Sequence, residues 1–447
     1  LVDDDPAVRH RRIGGLKVEG GVDDLQRIAE HHGATSVLLA MPSASGEELR
    51  RLHRVIRAAG LATLVMPPVQ RLVGEGSPGE ITRYQDEDIL NRRIVDIDSE
   101  AVRGLVSGHR VLVTGAGGSI GSELVRQLAA LEPDALFALD RDDSLLHHVI
   151  ASLPDDQRSC CTAVLADIRD ADRLHDVFDR HRPTLVFHAA ALKHVPALEG
   201  APSEGWKTNV LGSANVLEAS ERAGVRRVVN ISTDKAANPE NVLGYTKRIG
   251  ERLTAATAQR TGRAYVSVRF GNVIGSRGSA IETFETQIRN GGPVTITHPD
   301  VTRYFMAVRE AVRLTMQAAA IGRPAEVLVL DMGTPVKVVD VARQLIEQSQ
   351  ADVEITYTGL RPGEKMHEVL LGAGETANRP LHPMIDHVGV PGLDLVDGLD
   401  ACAAAGLSPF TLDGLQTIAF SNKTNHTDLM DATRPAHEQR RTSRRTT

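Results

Sequence analysis

Aromatic residues are scarce, at 3% of 447 residues with a single tryptophan, Trp206. A surface that stacks nucleobases on many exposed rings is therefore not expected. Positive charge is not in excess either: 51 Lys and Arg face 58 Asp and Glu, a formal net of −7. That balance argues against a nucleic-acid partner held through its phosphate backbone. Cysteine is nearly absent. Cys160, Cys161 and Cys402 are too few for a disulfide framework and stand in no metal-ligand spacing, so a reducing, cytoplasmic compartment and no metal are expected. His188 and His194 lack the carboxylate or cysteine spacing that would complete a metal site. No apolar run approaches the roughly 20 residues of a membrane span. The opening Leu1-Val2-Asp3-Asp4-Asp5 has neither an initiator Met nor the basic and apolar regions of a signal peptide. There is no Gly-x-x-x-x-Gly-Lys-Ser/Thr loop, so nucleoside triphosphate hydrolysis is not indicated.

What remains is ordinary globular composition, 41% hydrophobic and 24% charged, over a length that suggests two or three domains. Residues 1–75 read as a partial α/β domain of nucleotide-binding type without a glycine-rich loop. Its helices are expected over 22–32 and 46–59, its strands over 35–41 and 62–66, with a turn at Pro42–Ser45. Residues 76–107 read as a polar linker. From Arg110 the pattern changes. Apolar strands are predicted at 110–114, 135–140, 163–166, 185–189, 227–232 and 264–269, with helical segments between them. That alternation predicts a doubly wound parallel α/β sheet, a Rossmann fold, over 108–385. A smaller mixed C-terminal substrate lobe is expected mainly over 275–385. A helical segment over 386–420 and a disordered tail over 421–447 complete the chain.

Val113-Thr114-Gly115-Ala116-Gly117-Gly118-Ser119-Ile120-Gly121 joins a predicted strand to a predicted helix, the context a glycine pattern needs. Gly115, Gly118 and Gly121 let the backbone turn tightly and approach a pyrophosphate. Ser119 and Ile120 open a helix whose N–H groups face that anion. The next strand ends at Asp140, 19 residues after Gly121, where a carboxylate accepts hydrogen bonds from an adenosine ribose. Asp140 favours NAD. The adjacent Arg141 leaves NADP open, since it suits a 2′-phosphate. Asp167, followed by Ile168, is placed to meet the adenine edge.

Asn230-Ile231-Ser232-Thr233-Asp234-Lys235 ends another apolar strand. Strand ends of such a sheet face the ligand crevice, so a hydroxyl, a carboxylate and an amine arrive together. Lys247 follows in Leu243-Gly244-Tyr245-Thr246-Lys247-Arg248. With His188-Ala189-Ala190-Ala191-Leu192-Lys193-His194-Val195-Pro196 and Arg361-Pro362-Gly363-Glu364-Lys365, these strings resemble the UDP-N-acetylglucosamine 4,6-dehydratases of the polysaccharide-biosynthesis group, within the extended short-chain dehydrogenase/reductase superfamily. The similarity runs from about Arg110 to Leu371. Residues 1–75 more weakly resemble the cytoplasmic domain that precedes the dehydratase in long members. Those members usually carry membrane helices further upstream, and an anchor preceding Leu1 would tie the protein to a membrane.

The resemblance implies oxidation of UDP-N-acetylglucosamine at C4, loss of water across C5 and C6, and reduction at C6, with NAD regenerated. The product would enter a surface glycan. It implies that Asp234 protonates the departing C6 oxygen and Lys235 removes the C5 proton. Thr233 would hydrogen-bond the C4 hydroxyl, and Lys247 would hold the nicotinamide ribose. Ala189 and Ala190 would line the cofactor, and Lys193 would lie near the sugar or nicotinamide. Asn272, Arg303 and Arg361 would contact the diphosphate, and Glu364 the uridine ribose. A homo-oligomer is a further expectation from the resemblance.

One position departs from the superfamily. Its Tyr-x-x-x-Lys pattern has Leu243 where the tyrosine should stand. On a helix Tyr245 lies about 200° around from Leu243 and cannot replace it. Two alternatives stay open, a UDP-sugar 4-epimerase and an inactive sugar-nucleotide-binding or assembly protein.

Overall fold

The computed structural model describes residues 1–41, 46–65, 82–83 and 97–421. The turn expected at 42–45, most of the range read as a linker, and the tail from 422 lie outside them. The chain divides into two compact units, Leu1–Ile94 with Ile346–Ala351, and Val95–Leu345 with Asp352–Thr447.

In the first unit, helices Leu25–His32 and Gly46–Ala58 accompany the parallel strands Ser36–Leu39 and Ala62–Val65. Leu25, Leu39, Leu52 and Ile56 form its buried cluster. Thr82–Arg83 adds an antiparallel strand beside Ala62–Val65. This corrects the boundary expected at 75: the sheet recruits a strand from the range read as linker. The far end of that range is also structured. Ser99–Val106 is a helix, capped by the Asp98 side chain accepting from the Ala101 N–H, and it buries Val102 and Val106 in the core of the second unit. Its apolar spacing was too short to stand out against polar neighbours.

The second unit is built on one sheet of eight strands: β1 (Arg110–Thr114), β2 (Ala135–Asp140), β3 (Cys161–Leu165), β4 (Leu185–His188), β5 (Arg227–Ile231), β6 (Ala264–Arg269), β7 (Glu326–Leu330) and β8 (Ile385–Gly389). Their order is β3-β2-β1-β4-β5-β6-β7-β8. The first seven are parallel and β8 runs antiparallel to β7. This is the doubly wound α/β arrangement expected from the alternation. Because helices cover both faces, central strands are apolar on both sides. Val111, Leu112 and Val113 of β1 are all fully buried. The order in which strands are added reverses between β1 and β4, which opens a crevice at the carboxyl ends of those strands.

The range read as a substrate lobe is not continuous. Helix Val308–Ile321 and β7 interrupt it and belong to the main sheet's core. Small strand pairs on either side supply the lobe: Asn272–Ile274 with Phe305–Ala307, Val294–Ile296 with Ile355–Tyr357, and Thr302–Arg303 with Val336–Lys337. Beyond β8, helices Leu395–Ala404 and Leu412–Phe420 pack Leu415 and Ile418 against the long helix Val242–Thr261.

Candidate active site

The glycine loop leaves β1 and enters helix α1 (Ser119–Ala129). Gly118 caps α1 with extended backbone and no side-chain hydrogen bond, so the first-turn N–H groups have no side chain competing for them. At Gly115 φ is +69°, and a Cβ there would lie 2.5 Å from the Ala190 backbone nitrogen. Glycine is required on both counts. Ala189 and Ala190, expected to line the cofactor, therefore close against the loop. The Asp140 carboxylate accepts from the Gly117 N–H at 2.9 Å and from the Asp142 N–H at 3.1 Å, which fixes it at the end of β2 beside the loop. Such a cradle of bare backbone, a helix N-terminus and a strand-end carboxylate fits a dinucleotide.

Asp167 is engaged elsewhere. Burial raises its carboxyl, but hydrogen bonds from Arg169, the shortest at 2.6 Å, outweigh that and hold it below the usual carboxylate range. Ile168 next to it is buried, and Arg141 is exposed.

His188 ends β4. It sits fully buried between Thr114 Oγ1 at 2.7 Å and Ser213 Oγ at 2.9 Å. The Ser213 hydroxyl donates to the Asn209 carbonyl. The neutral ring therefore donates from Nε2 to Ser213 and accepts at Nδ1 from Thr114. Burial, aided by Lys247, lowers its pKa to about 3, so it stays neutral and ties β1 to β4 under the crevice.

The second group gathers at the end of β5. Thr233 caps a short helical turn, Asp234–Ala236. Asp234 is fully buried. Its Oδ1 accepts from the Thr233 hydroxyl at 2.8 Å and from Lys235 Nζ at 3.0 Å, while Oδ2 has no hydrogen bond. Lys235 Nζ also donates to Asn272 Oδ1 at 3.3 Å. Lys247 comes from helix α2 (Val242–Thr261) and donates to the Ile231 carbonyl at 2.9 Å. Burial lowers its pKa to about 8, with Glu251 opposing. Helix α2 approaches this closely because Gly244 has no side chain: a Cβ there would stand 2.6 Å from the Lys235 carbonyl oxygen. Leu243 is buried, and Tyr245 faces the C-terminal helix, its ring edge-on to Phe420 at 6.3 Å. The helical geometry thus takes Tyr245 away from the site, as expected.

The residues assigned to the sugar nucleotide fall into separate places. Arg303 is buried and donates to Glu364 Oε1 at 3.3 Å. Glu364 also accepts from the Thr297 hydroxyl and from the Arg361 N–H. Asn272 instead joins the Asp234–Lys235 group. Lys193 is exposed, with its amine on the Arg277 carbonyl at 2.7 Å. The Arg277 guanidinium donates to the Gly117 carbonyl, and its N–H to Ser119 Oγ at 3.0 Å. Lys193 thus braces a loop against the glycine cradle.

Two residues near Lys235 carried no assigned role. Glu368 and Lys365 are both buried, with Glu368 Oε1 3.8 Å from Lys235 Nζ and Oε2 3.7 Å from Lys365 Nζ. The available signal was an acid three residues beyond Lys365, but no local pattern connects it to Lys235.

Comparison with known proteins agrees with this geometry. The probable polysaccharide biosynthesis protein EpsC of Bacillus subtilis is 40% identical over 395 residues, 87% of this chain and 66% of that protein. The capsular polysaccharide biosynthesis protein CapD of Staphylococcus aureus is 39% identical over 390 residues, 86% of this chain and 64% of that protein. The chain thus spans about two thirds of the length of each. Among solved structures, Pen from Bacillus thuringiensis superposes with a TM-score of 0.60 at 32% identity, covering 64% of this chain and 90% of that one. A dTDP-glucose 4,6-dehydratase from Streptomyces venezuelae, solved with NAD, gives 0.53 at 25% identity, covering 59% and 88%. The UDP-glucose 4-epimerase of Thermus thermophilus, also with NAD, gives 0.51 at 25% identity, covering 59% and 91%. Both NAD complexes accord with the cofactor expected from Asp140. A family model described as polysaccharide biosynthesis protein matches residues 111–389, the stretch that holds the whole sheet and every group of the crevice, and by that match the chain belongs to the polysaccharide biosynthesis protein family.

Proposed function

We propose that the chain is an NAD-dependent nucleotide-sugar 4,6-dehydratase that acts on UDP-N-acetylglucosamine and forms a UDP-4-keto-6-deoxy-N-acetylhexosamine for a surface polysaccharide. One observation carries the reading: a fully buried acid and an amine, Asp234 and Lys235, are paired at 3.0 Å at the end of β5. Epimerisation at C4 needs no proton removed from C5. Elimination needs both an acid at C6 and a base at C5.

Bound NAD supplies a two-electron acceptor for C4 and the donor for C6. The remaining steps are proton movements by side chains. The C4 hydroxyl donates to Thr233, whose hydroxyl already donates to Asp234 Oδ1 at 2.8 Å. The proton lost at C4 passes along this line and leaves Asp234 protonated. Asp234 then protonates the C6 oxygen, which departs as water, while Lys235 takes the C5 proton. Lys235 later returns a proton to C5. The sum is loss of one water. This route needs no hydroxyl at position 243, which agrees with Leu243. Lys247, with its lowered pKa of about 8, holds the nicotinamide ribose. Arg303, Arg361 and Glu364 form the sugar-nucleotide end, where the planar guanidinium of arginine suits phosphate oxygens.

The first test is proton NMR with UDP-N-acetylglucosamine and catalytic NAD in D₂O. The expected result is a new C6 methyl signal with deuterium at C5. Conversion to the C4 epimer with no methyl signal would replace this reading by the epimerase, the reading favoured by the superposition on UDP-glucose 4-epimerase. Binding of both ligands with no turnover would favour a sugar-nucleotide-binding protein.

A further inference from the structure

Lys235 presents a chemical difficulty that the proposed function leaves unanswered. An amine beside an ionised acid holds its proton, yet a base must first lose it. Asp234 cannot solve this, because it carries a proton to C6 in the same cycle. A second buried carboxyl faces the same amine. Glu368 lies beside Lys235, with Oε1 3.8 Å from Nζ. Its side chain is 2% exposed, and its other oxygen, Oε2, 3.7 Å from Lys365 Nζ, makes no hydrogen bond among the described residues. Native structures rarely leave a buried carboxylate oxygen unbonded without a use for it.

Resting on the dehydratase reading, we propose that Glu368 is a positioning residue that accepts the proton Lys235 must shed, so that the amine is free to attack C5–H. The step is a single proton transfer, made through one bridging water or after Nζ and Oε1 close from 3.8 Å to hydrogen-bond distance. One N–H bond of the Lys235 ammonium breaks and one O–H bond forms on Glu368, leaving a neutral amine and a neutral carboxyl. No electrons leave or enter. The charges facing Glu368 are Asp234 and Lys235 from the turn after β5, Lys365 from its own segment and Arg303 from the lobe strand. Glu240 lies behind Lys365 at 3.6 Å. Two acids and two amines make up the inner group, so the transfer takes place without changing its net charge. Burial, reinforced by Asp234, raises the Glu368 carboxyl, with Lys235, Lys365 and Arg303 opposing. A raised carboxyl holds a proton better than an exposed one.

The pH profile separates this role from a fixed-charge role because the two move it in opposite directions. With Glu368 in place, Lys235 and Glu368 share one proton, and activity is lost at low pH when the pair gains a second. Glu368→Gln removes the acceptor, so the amine must lose its proton to solvent. The acid limb of turnover should then rise by at least about one pH unit, with activity regained at higher pH. If Glu368 were only a negative charge beside the ammonium, removing it would ease deprotonation and lower the limb. An unmoved or lowered limb overturns the proposal. Glu368→Asp, which retains a carboxyl set back by one carbon, should give an intermediate limb and serves if the glutamine variant folds poorly. A readout without turnover is the pH-difference infrared spectrum of the full chain. One component of the protonated-carboxyl band should persist in the wild type at neutral pH, where exposed carboxyls are ionised, and be missing in Glu368→Gln, and identical neutral-pH bands in both would overturn the proposal. Lys235→Ala keeps the two readings distinct. If Lys235→Ala is inactive while Glu368→Gln lowers the limb, the proposal fails and the base assignment stands. If Lys235→Ala turns over normally, both fall.

Discussion

Two buried charged clusters lie near the ends of β5 and β6, and they are satisfied to very different degrees. In the first, Arg269 at the end of β6 is fully buried between Glu251 and Glu375. Glu251 accepts from Ser232, Arg248 and Arg269; Glu375 accepts from Arg248, Arg269 and the Gly372 N–H. All four of these carboxylate oxygens are bonded. In the second, Asp234 Oδ2 and Glu368 Oε2 have no hydrogen bond among the described residues, and Lys235 pairs with both acids. A saturated cluster holds one protonation state and so serves as structure. An under-satisfied one keeps acceptors available, at a cost in stability, where protons must move.

The contrast can be broken or sharpened by substitution. The largest effect is expected at Lys235. Lys235→Ala should lower turnover about 10²–10⁴-fold with NAD affinity unchanged by equilibrium titration, and a loss under threefold would place the base elsewhere. Arg269→Met attacks the saturated cluster. It strands two buried carboxylates and should destabilise the fold by about 3–5 kcal/mol, read from urea unfolding. An effect below about 1 kcal/mol would mean that the cluster is not holding β6 to the segment around Glu375.

Acid should expose the same difference more gently. Burial pushes the Glu375 carboxyl up, but Arg269, with help from Gly372 and Arg248, brings its pKa down to about 2 from 4.5. A folded pKa below the unfolded one gives stability that is present above pH 4.5 and lost as pH falls towards 2. The stability gap between wild type and Glu375→Gln should therefore shrink across that window, and a gap constant with pH would contradict the pairing. The smallest effect is expected at Tyr245, which packs on Phe420 away from both clusters. Tyr245→Phe should leave turnover within about twofold, whereas a loss beyond tenfold, the scale of proton-transfer catalysis, would give the hydroxyl a role in the chemistry.

Much of the fold is legible in the chain because its signals are local. The β1, β2 and β6 strands match their predicted spans residue for residue, since each is an apolar run bounded by polar residues. The glycine loop is legible for the same reason: Gly115 serves a backbone turn only a few residues long. Signals failed where a partner lay far along the chain. The strand Thr82–Arg83 and the helix Ser99–Val106 sit in a polar stretch, and each is an element because something distant covers it. Lys193, expected near the sugar or nicotinamide, rests its amine on the Arg277 carbonyl, 84 residues on.

What the sequence by itself determined is therefore the alternating α/β architecture, the cofactor cradle and the pairing of Asp234 with Lys235, because period, glycine spacing and adjacency are properties of short segments. What only the tertiary structure decided is which charges meet. Glu368 reaches Lys235 across more than a hundred residues, and Glu375 meets Arg269 in the same way. Strand order and burial choose those encounters. Whether a carboxylate is saturated or left with an open oxygen depends on every group the fold packs around it, and no local pattern encodes that.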